Sequence, residues 1–152
     1  MGAESRITEL GLELPAVPAP AGTYVPAKRS GALLYVAGHG PLRADGSYVR
    51  GRLGDALEVD AGRDAARLTG LALLATIRTE VGSLDRMRQV LKVFGMVNCT
   101  ADFARMPDVI NGCSDLMVDV FGDAGRHARS AVGMAALPFG IAVEVEMVAE
   151  VD

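Results

Sequence analysis

The residues best able to do chemistry sit near the end of the chain. Arg129 lies in His127-Ala128-Arg129-Ser130-Ala131-Val132, and Glu144 and Glu146 follow the turn-like Leu137-Pro138-Phe139-Gly140. An arginine offers a planar fork of N–H donors that fits a carboxylate, and a glutamate can take a proton from water. A surface carrying these groups can hold a small carboxylate and poise a base near it. The elements that must carry them are strands. From Ile141 onward, Ile141, Val143, Val145, Met147, Ala149 and Val151 alternate with Ala142, Glu144, Glu146, Val148, Glu150 and Asp152. That period of two marks a half-buried strand. Arg129–Ala136 alternates in the same way, and the proline and glycine between the runs supply turn chemistry. The two runs are therefore expected to pair as a hairpin. Arg129 would then face a residue near Val148, leaving Glu144 four residues along, or roughly 13 Å at ~3.3 Å per residue. One small substrate cannot span that distance, so either a bulge intervenes or the site is shared between subunits.

Other candidates are weaker. His39 follows the apolar run Leu33–Ala37 and stands between Gly38 and Gly40. Functional residues gather at such strand ends, yet a lone histidine is more often structural. Gly38-His39-Gly40 lacks the further glycine and the lysine of a phosphate-binding loop. His127, beside Arg126 and Arg129, reads as a surface or interface residue. Cys99 and Cys113 have no CxxC spacing and read as buried, inert thiols. No His, Cys and carboxylate spacing suits a metal, and no metal or cofactor is expected.

Composition bounds the rest. The 152 residues, half of them apolar, suffice for one core. With 5% aromatics and no Trp, that core must be aliphatic. A net charge of −4 without a basic block argues against a nucleic-acid partner. No apolar run approaches the roughly 18–20 residues of a membrane span, and Met1–Leu14 has no signal-like apolar core, so a cytoplasmic protein without membrane association is expected.

In chain order, residues 1–21 contain Pro15, Pro18 and Pro20 and read as an extended N-terminal arm; residues 22–152 form the domain. Strands are expected at Tyr24–Arg29 and Leu33–Ala37, joined by a Ser30-Gly31 turn, with Pro26 placing the first at an edge. A loop follows at 42–57. A helix from Asp60, as cap, to Val81 should stop at Gly82 and bury Ala61, Ala65, Leu68, Ala72 and Ala75, with Arg63, Arg67 and Arg78 solvated. A strand at Val90–Cys99 and a helix at Phe103–Phe121 precede the C-terminal hairpin. The second helix should face inward through Ile110, Cys113, Met117 and Phe121. This order implies an α+β fold, one mixed sheet with both helices on one face. The other face needs cover, and self-association is the simplest.

Several segments taken together resemble the RidA/YjgF family of reactive-intermediate (enamine/imine) deaminases, long also labelled endoribonuclease L-PSP. They are Tyr24–Gly31, the strand ending Ala37-Gly38-His39, Ile110-Asn111-Gly112, and Arg129-Ser130-Ala131-Val132 through Leu137-Pro138 to Glu144-Val145-Glu146. The likeness runs from about Tyr24 to the C-terminus. It implies a chorismate-mutase-like homotrimer with a barrel-like core and clefts between subunits. The implied activity is hydrolysis of small 2-enamine and 2-imine carboxylates to 2-keto acids and ammonia, without metal or cofactor. The family's carboxylate-binding arginine falls on Arg129 and the glutamate associated with the attacking water on Glu144. Its substrate-facing backbone carbonyl falls on Ala131, its pocket tyrosine on Tyr24, its pocket glycine on Gly38 and its helix asparagine on Asn111. His39 stands where the family usually has glutamine, and Ala131 where it often has cysteine. A trimer that binds a small keto acid or similar metabolite without turnover is the alternative; RNA cleavage, the older label, fits the acidic charge poorly.

Overall fold

The structure, a computed structural model, describes residues 2–152. Five strands form one sheet: β1 (Ala27–Ser30), β2 (Leu33–His39), β3 (Met87–Asn98), β4 (Ala128–Met134) and β5 (Val143–Val151). Three helices accompany it: α1 (Ala3–Glu9), α2 (Val59–Val81) and α3 (Met106–Phe121). The strand order is β1-β2-β5-β3-β4. All neighbours are antiparallel except β3 and β4, which are parallel and joined through α3. This is the mixed α+β domain expected from the element order.

The C-terminal hairpin does not form. Leu137–Gly140 does turn, through a short 3-10 segment at Pro138–Gly140, but β3 lies between β4 and β5 and pairs with both. At the crossing, the N–H of Asn98 donates to Ala142 O and that of Cys99 to Met134 O, so the end of β3 satisfies both flanking strands. Turn residues specify a change of direction; which strand fills the gap is decided by the long-range pairing of β3.

Register fixes the two faces. Val93 lies opposite both Arg129 and Met147, and Met96 opposite both Val132 and Glu144. Partners in register share a face, and successive residues alternate. Val36, Val93, Gly95, Val145 and Met147 therefore face α2 and α3; all five are buried. Tyr35, Phe94, Met96, Val132 and Val148 share the opposite face with Glu144 and Glu146, and no helix covers it. Tyr35 is 49% exposed there.

α2 starts two residues earlier than expected: Glu58, not Asp60, is the N-cap, without a side-chain cap bond. Its end is as expected, with Gly82 in the left-handed region at φ 85°. Its strongest stripe is Gly62, Ala65, Ala66, Thr69, Gly70, Leu73, Leu74, Ile77 and Val81, rotated from the expected one so that Ala61 is exposed and Leu68 only half-buried. The glycines explain the rotation. They let α3 come close: a Cβ at Gly62 would strike Leu53 and Val109, one at Gly70 would strike Leu116, and one on Gly112 of α3 would strike the backbone carbonyl of Arg63. Arg63 and Arg67 are not merely solvated; they pair with Asp115 and Asp119 of α3.

The arm is not wholly extended. Ala3–Glu9 is helical, with Ala3 and Ile7 buried. Glu4 accepts from the Arg78 guanidinium and from the Leu84 N–H, while Arg6 Nε donates to Asp119 O. These tertiary contacts hold a helix of seven residues, too short to be stable alone. The proline-rich stretch after it has no regular structure.

Candidate active site

Glu144 sits on β5 with its carboxylate over the backbone of Gly38, where any Cβ would collide with it. A side chain at this position would push the Glu144 carboxylate out of the place it holds. Both line a cavity of about 610 Å³, with Tyr24, Tyr48, Phe139 and Glu146 around them and Pro18–Ala21 of the arm forming one wall. The Tyr24 hydroxyl accepts a hydrogen bond from the Ala21 N–H at 3.1 Å, tying the arm to this wall. Burial pushes the Glu144 carboxyl above its ordinary range, and the neighbouring Glu146 charge adds to the shift. A half-buried carboxylate of raised basicity is suited to accept a proton from water. Phe139 is 67% exposed at the cavity and adopts φ 59°, a backbone conformation uncommon outside glycine.

His39 lines the same cavity, but its ring is turned into the fold. Nδ1 lies 2.6 Å from Ala37 O and Nε2 2.7 Å from Thr76 Oγ1 of α2. The carbonyl can only accept, so Nδ1 carries the proton and Nε2 accepts from the threonine. Burial lowers its pKa and so favours the neutral ring, opposed in part by the bond to Ala37. The imidazole therefore ties β2 to α2.

Arg129 is elsewhere. It projects from the edge strand β4 on the helix face, where Nη1 donates to Asn111 Oδ1 at 2.8 Å and Ser114 Oγ at 3.1 Å, and Nη2 to Pro107 O at 3.3 Å. Pro107, Asn111 and Ser114 are spaced i, i+4, i+7 along α3 and so share one side of it. Ser114 also meets His127 Nε2 at 2.9 Å, and His127 Nδ1 lies 2.7 Å from Gly125 O. Ala131 follows two residues after Arg129 on the same face, and β4, as an edge, has outward backbone groups that no strand pairs.

The candidates thus form two groups: Tyr24, Gly38, His39 and Glu144 around the cavity, and Arg129, Asn111 and Ala131 at the far edge. Arg129 and Glu144 are three residues apart in register and two strands apart, roughly 10 Å along the strands and roughly 10 Å across them. The odd offset also puts them on opposite faces. Sequence reasoning missed Ser114, Tyr48, Phe139 and the arm as cavity wall, and set His127 aside. Only Ser114 left a signal, its one-turn spacing from Asn111.

A family model described as YjgF/chorismate mutase-like, "putative endoribonuclease", matches residues 4–151. The chain belongs to the YjgF/RidA family. The match includes most of the arm as well as the domain. Protein TCP17 of Trypanosoma cruzi is 42% identical over 149 residues, 97% of this chain and 93% of that protein. The solved structure of Atu1372 from Agrobacterium tumefaciens, of unknown function, is 40% identical with a TM-score of 0.91 over 99% of this chain and 92% of that one. A Shewanella oneidensis structure, described like the family model as an endoribonuclease in the putative sense, is 33% identical with a TM-score of 0.96, covering 99% and 100%. Among the described residues no group of three or more His, Cys, Asp or Glu could hold a metal ion. Among the same residues no helix is long and apolar enough to cross a membrane. Cys99 and Cys113 are buried free thiols, and burial pushes that of Cys113 up to about 12.

Proposed function

We propose that this YjgF/RidA member is a hydrolytic deaminase of small 2-enamine and 2-imine carboxylates, working as a trimer with each site shared by two subunits. Arg129 of one subunit, supported by Asn111, holds the substrate carboxylate; Glu144 of a neighbour, in the cavity with Tyr24 and Gly38, serves the water. One observation carries the reading: within a subunit the anchor and the base lie on opposite faces of the sheet, whereas both are needed at one small molecule. Tight turns and bulges do not bridge them, since β3 pairs regularly with both strands between Val93 and Val97.

The chemistry needs little else. Protonation of an enamine at carbon gives the iminium ion, whose C=N carbon is already electrophilic. Glu144 takes a proton as water adds, then returns it to nitrogen as the carbinolamine collapses, releasing ammonia and the 2-keto acid. Two parallel charge-assisted bonds to Arg129 fix the 2-carbon relative to the water. The Ala131 carbonyl, as the family resemblance implies, can accept from the substrate nitrogen; the alanine side chain is no obstacle because a backbone atom is used.

Wild type and Arg129→Ala at equal folded concentration would be compared on 2-iminopropionate, generated in place by an amino-acid oxidase and trapped with semicarbazide. The expected result is acceleration by the wild type that is lost in the variant by about tenfold or more in kcat/KM. Activity surviving the substitution would remove Arg129 as anchor. A binding protein without turnover is favoured by one feature, the His39 ring that leaves the pocket without the family's glutamine. Pyruvate binding without imine hydrolysis would select that reading. RNA cleavage finds no support in a cavity walled by two glutamates.

A further inference from the structure

We propose that Ser114 and His127 are positioning residues for Arg129, fixing which edge of its guanidinium is offered to a carboxylate. This rests on Arg129 being the anchor of the site described above. An arginine has five N–H donors. Nη1 uses both of its protons, on Asn111 Oδ1 and Ser114 Oγ, and Nη2 uses one on Pro107 O. One N–H on Nε and one on Nη2 remain, the pair that a carboxylate takes side-on in parallel bonds. The far end of the guanidinium is therefore occupied by protein acceptors and its Nε/Nη2 edge is left for the ligand.

Ser114 can serve Arg129 only if its hydroxyl proton points elsewhere, and His127 arranges this. The Gly125 carbonyl beside Nδ1 can only accept, so the ring proton sits on Nδ1 and Nε2 of the neutral ring must accept from Ser114. With its proton committed to His127, Ser114 Oγ turns a lone pair to Nη1. The chain of bonds runs Arg129 Nη1 to Ser114 Oγ, Ser114 O–H to His127 Nε2, and His127 Nδ1–H to Gly125 O. It joins β4, α3 and the 3-10 turn at Gly122–Gly125. His127 is half-buried; burial is the main cause lowering its pKa, opposed by the Gly125 bond and aided by the Arg129 charge. The small recess lined by Ser114, Asp115, Arg126, His127 and Arg129 lies beside this chain. Asp115, the nearby carboxylate, is engaged with Arg63 rather than with Arg129.

The test combines a direct and a functional readout. Arg129 Nε–H order would be measured by ¹⁵N relaxation, and pyruvate affinity and 2-iminopropionate kinetics by calorimetry and trapping. Ser114→Ala and His127→Ala should each loosen Nε and raise the pyruvate Kd and the KM roughly tenfold, with kcat at saturation little changed, as loss of a ground-state anchor requires. Ser114→Thr and His127→Gln, which keep the hydroxyl and the acceptor, should restore most of the affinity. In an Arg129→Ala background neither alanine substitution should change kcat/KM further. Unchanged Nε order in both variants would overturn the proposal, as would loosened Nε with unchanged pyruvate affinity, or equal losses in the Arg129→Ala background. Those results leave the deaminase reading standing. Absence of both pyruvate binding and imine hydrolysis in the wild type would instead overturn the reading, and the positioning role with it.

Discussion

Glu144 shows how a single residue's environment bears on both stability and chemistry. Its carboxyl is harder to ionise in the fold than in the unfolded chain, because burial and then the Glu146 charge oppose the anion. A raised folded pKa stabilises the protein fully below the ordinary value of 4.5 and loses that contribution as pH rises through the folded value. Glu144→Gln, which carries no charge, should therefore melt higher than wild type at pH 7. The gap should close as the pH is lowered below about 4.5. Thermal melts across that range would check it, and a lower melting temperature for the variant at pH 7 would contradict the assignment. The same variant should lose imine hydrolysis by about 10²-fold or more in kcat. At this scale the sequence was legible for placement: Arg129 and Glu144 both lie on strands, as their alternating neighbours indicate. It was not legible for His39, whose ring direction depends on the bulge between Val36 and His39, or for Ser114 and His127, which meet only when α3 lies against β4.

Among the elements, the approach of α2 to α3 depends on glycines. Gly112 lies so near the Arg63 carbonyl that a methyl group there forces backbone apart. Gly112→Ala should destabilise the fold by about 1–3 kcal/mol despite alanine's better helix propensity. Urea unfolding would measure this, and an unchanged or raised midpoint would show that the helices separate freely. Because Asn111 is the preceding residue, the displacement should also disturb the Arg129 support. Periodicity and stop signals found both long helices and all five strands to within a few residues, with Gly82 ending α2 as its type dictates. They missed α1, whose short run is helical only because Ile7 and Glu4 find partners far along the chain. They also paired β4 with β5. Local turn chemistry cannot reveal that β3, some forty residues earlier, inserts between them.

For the whole molecule, the sheet face bearing Tyr35, Phe94, Met96, Val132 and Val148 has no helix over it, and the two halves of the site lie on different faces of one chain. The proposed cyclic trimer would answer both: it would cover the open face and bring the Arg129 edge of one subunit to the Glu144 cavity of the next. Strand spacing alone pointed to either a bulge or a site shared between subunits, although through a hairpin that does not form. The pairing through β3 still sets Arg129 level with Met147, next to the expected Val148, so the separation survived the change of topology. The measurement that tests this account most directly is subunit complementation. Arg129→Ala and Glu144→Gln proteins would be unfolded together in equal amounts, refolded to allow reassortment, and assayed on 2-iminopropionate. If each site takes Arg129 from one subunit and Glu144 from its neighbour, random mixing makes about one site in four wild-type, and roughly a quarter of wild-type activity should return. A mixed population no more active than the two inactive parents would mean that both residues act within one chain, and would contradict the shared site.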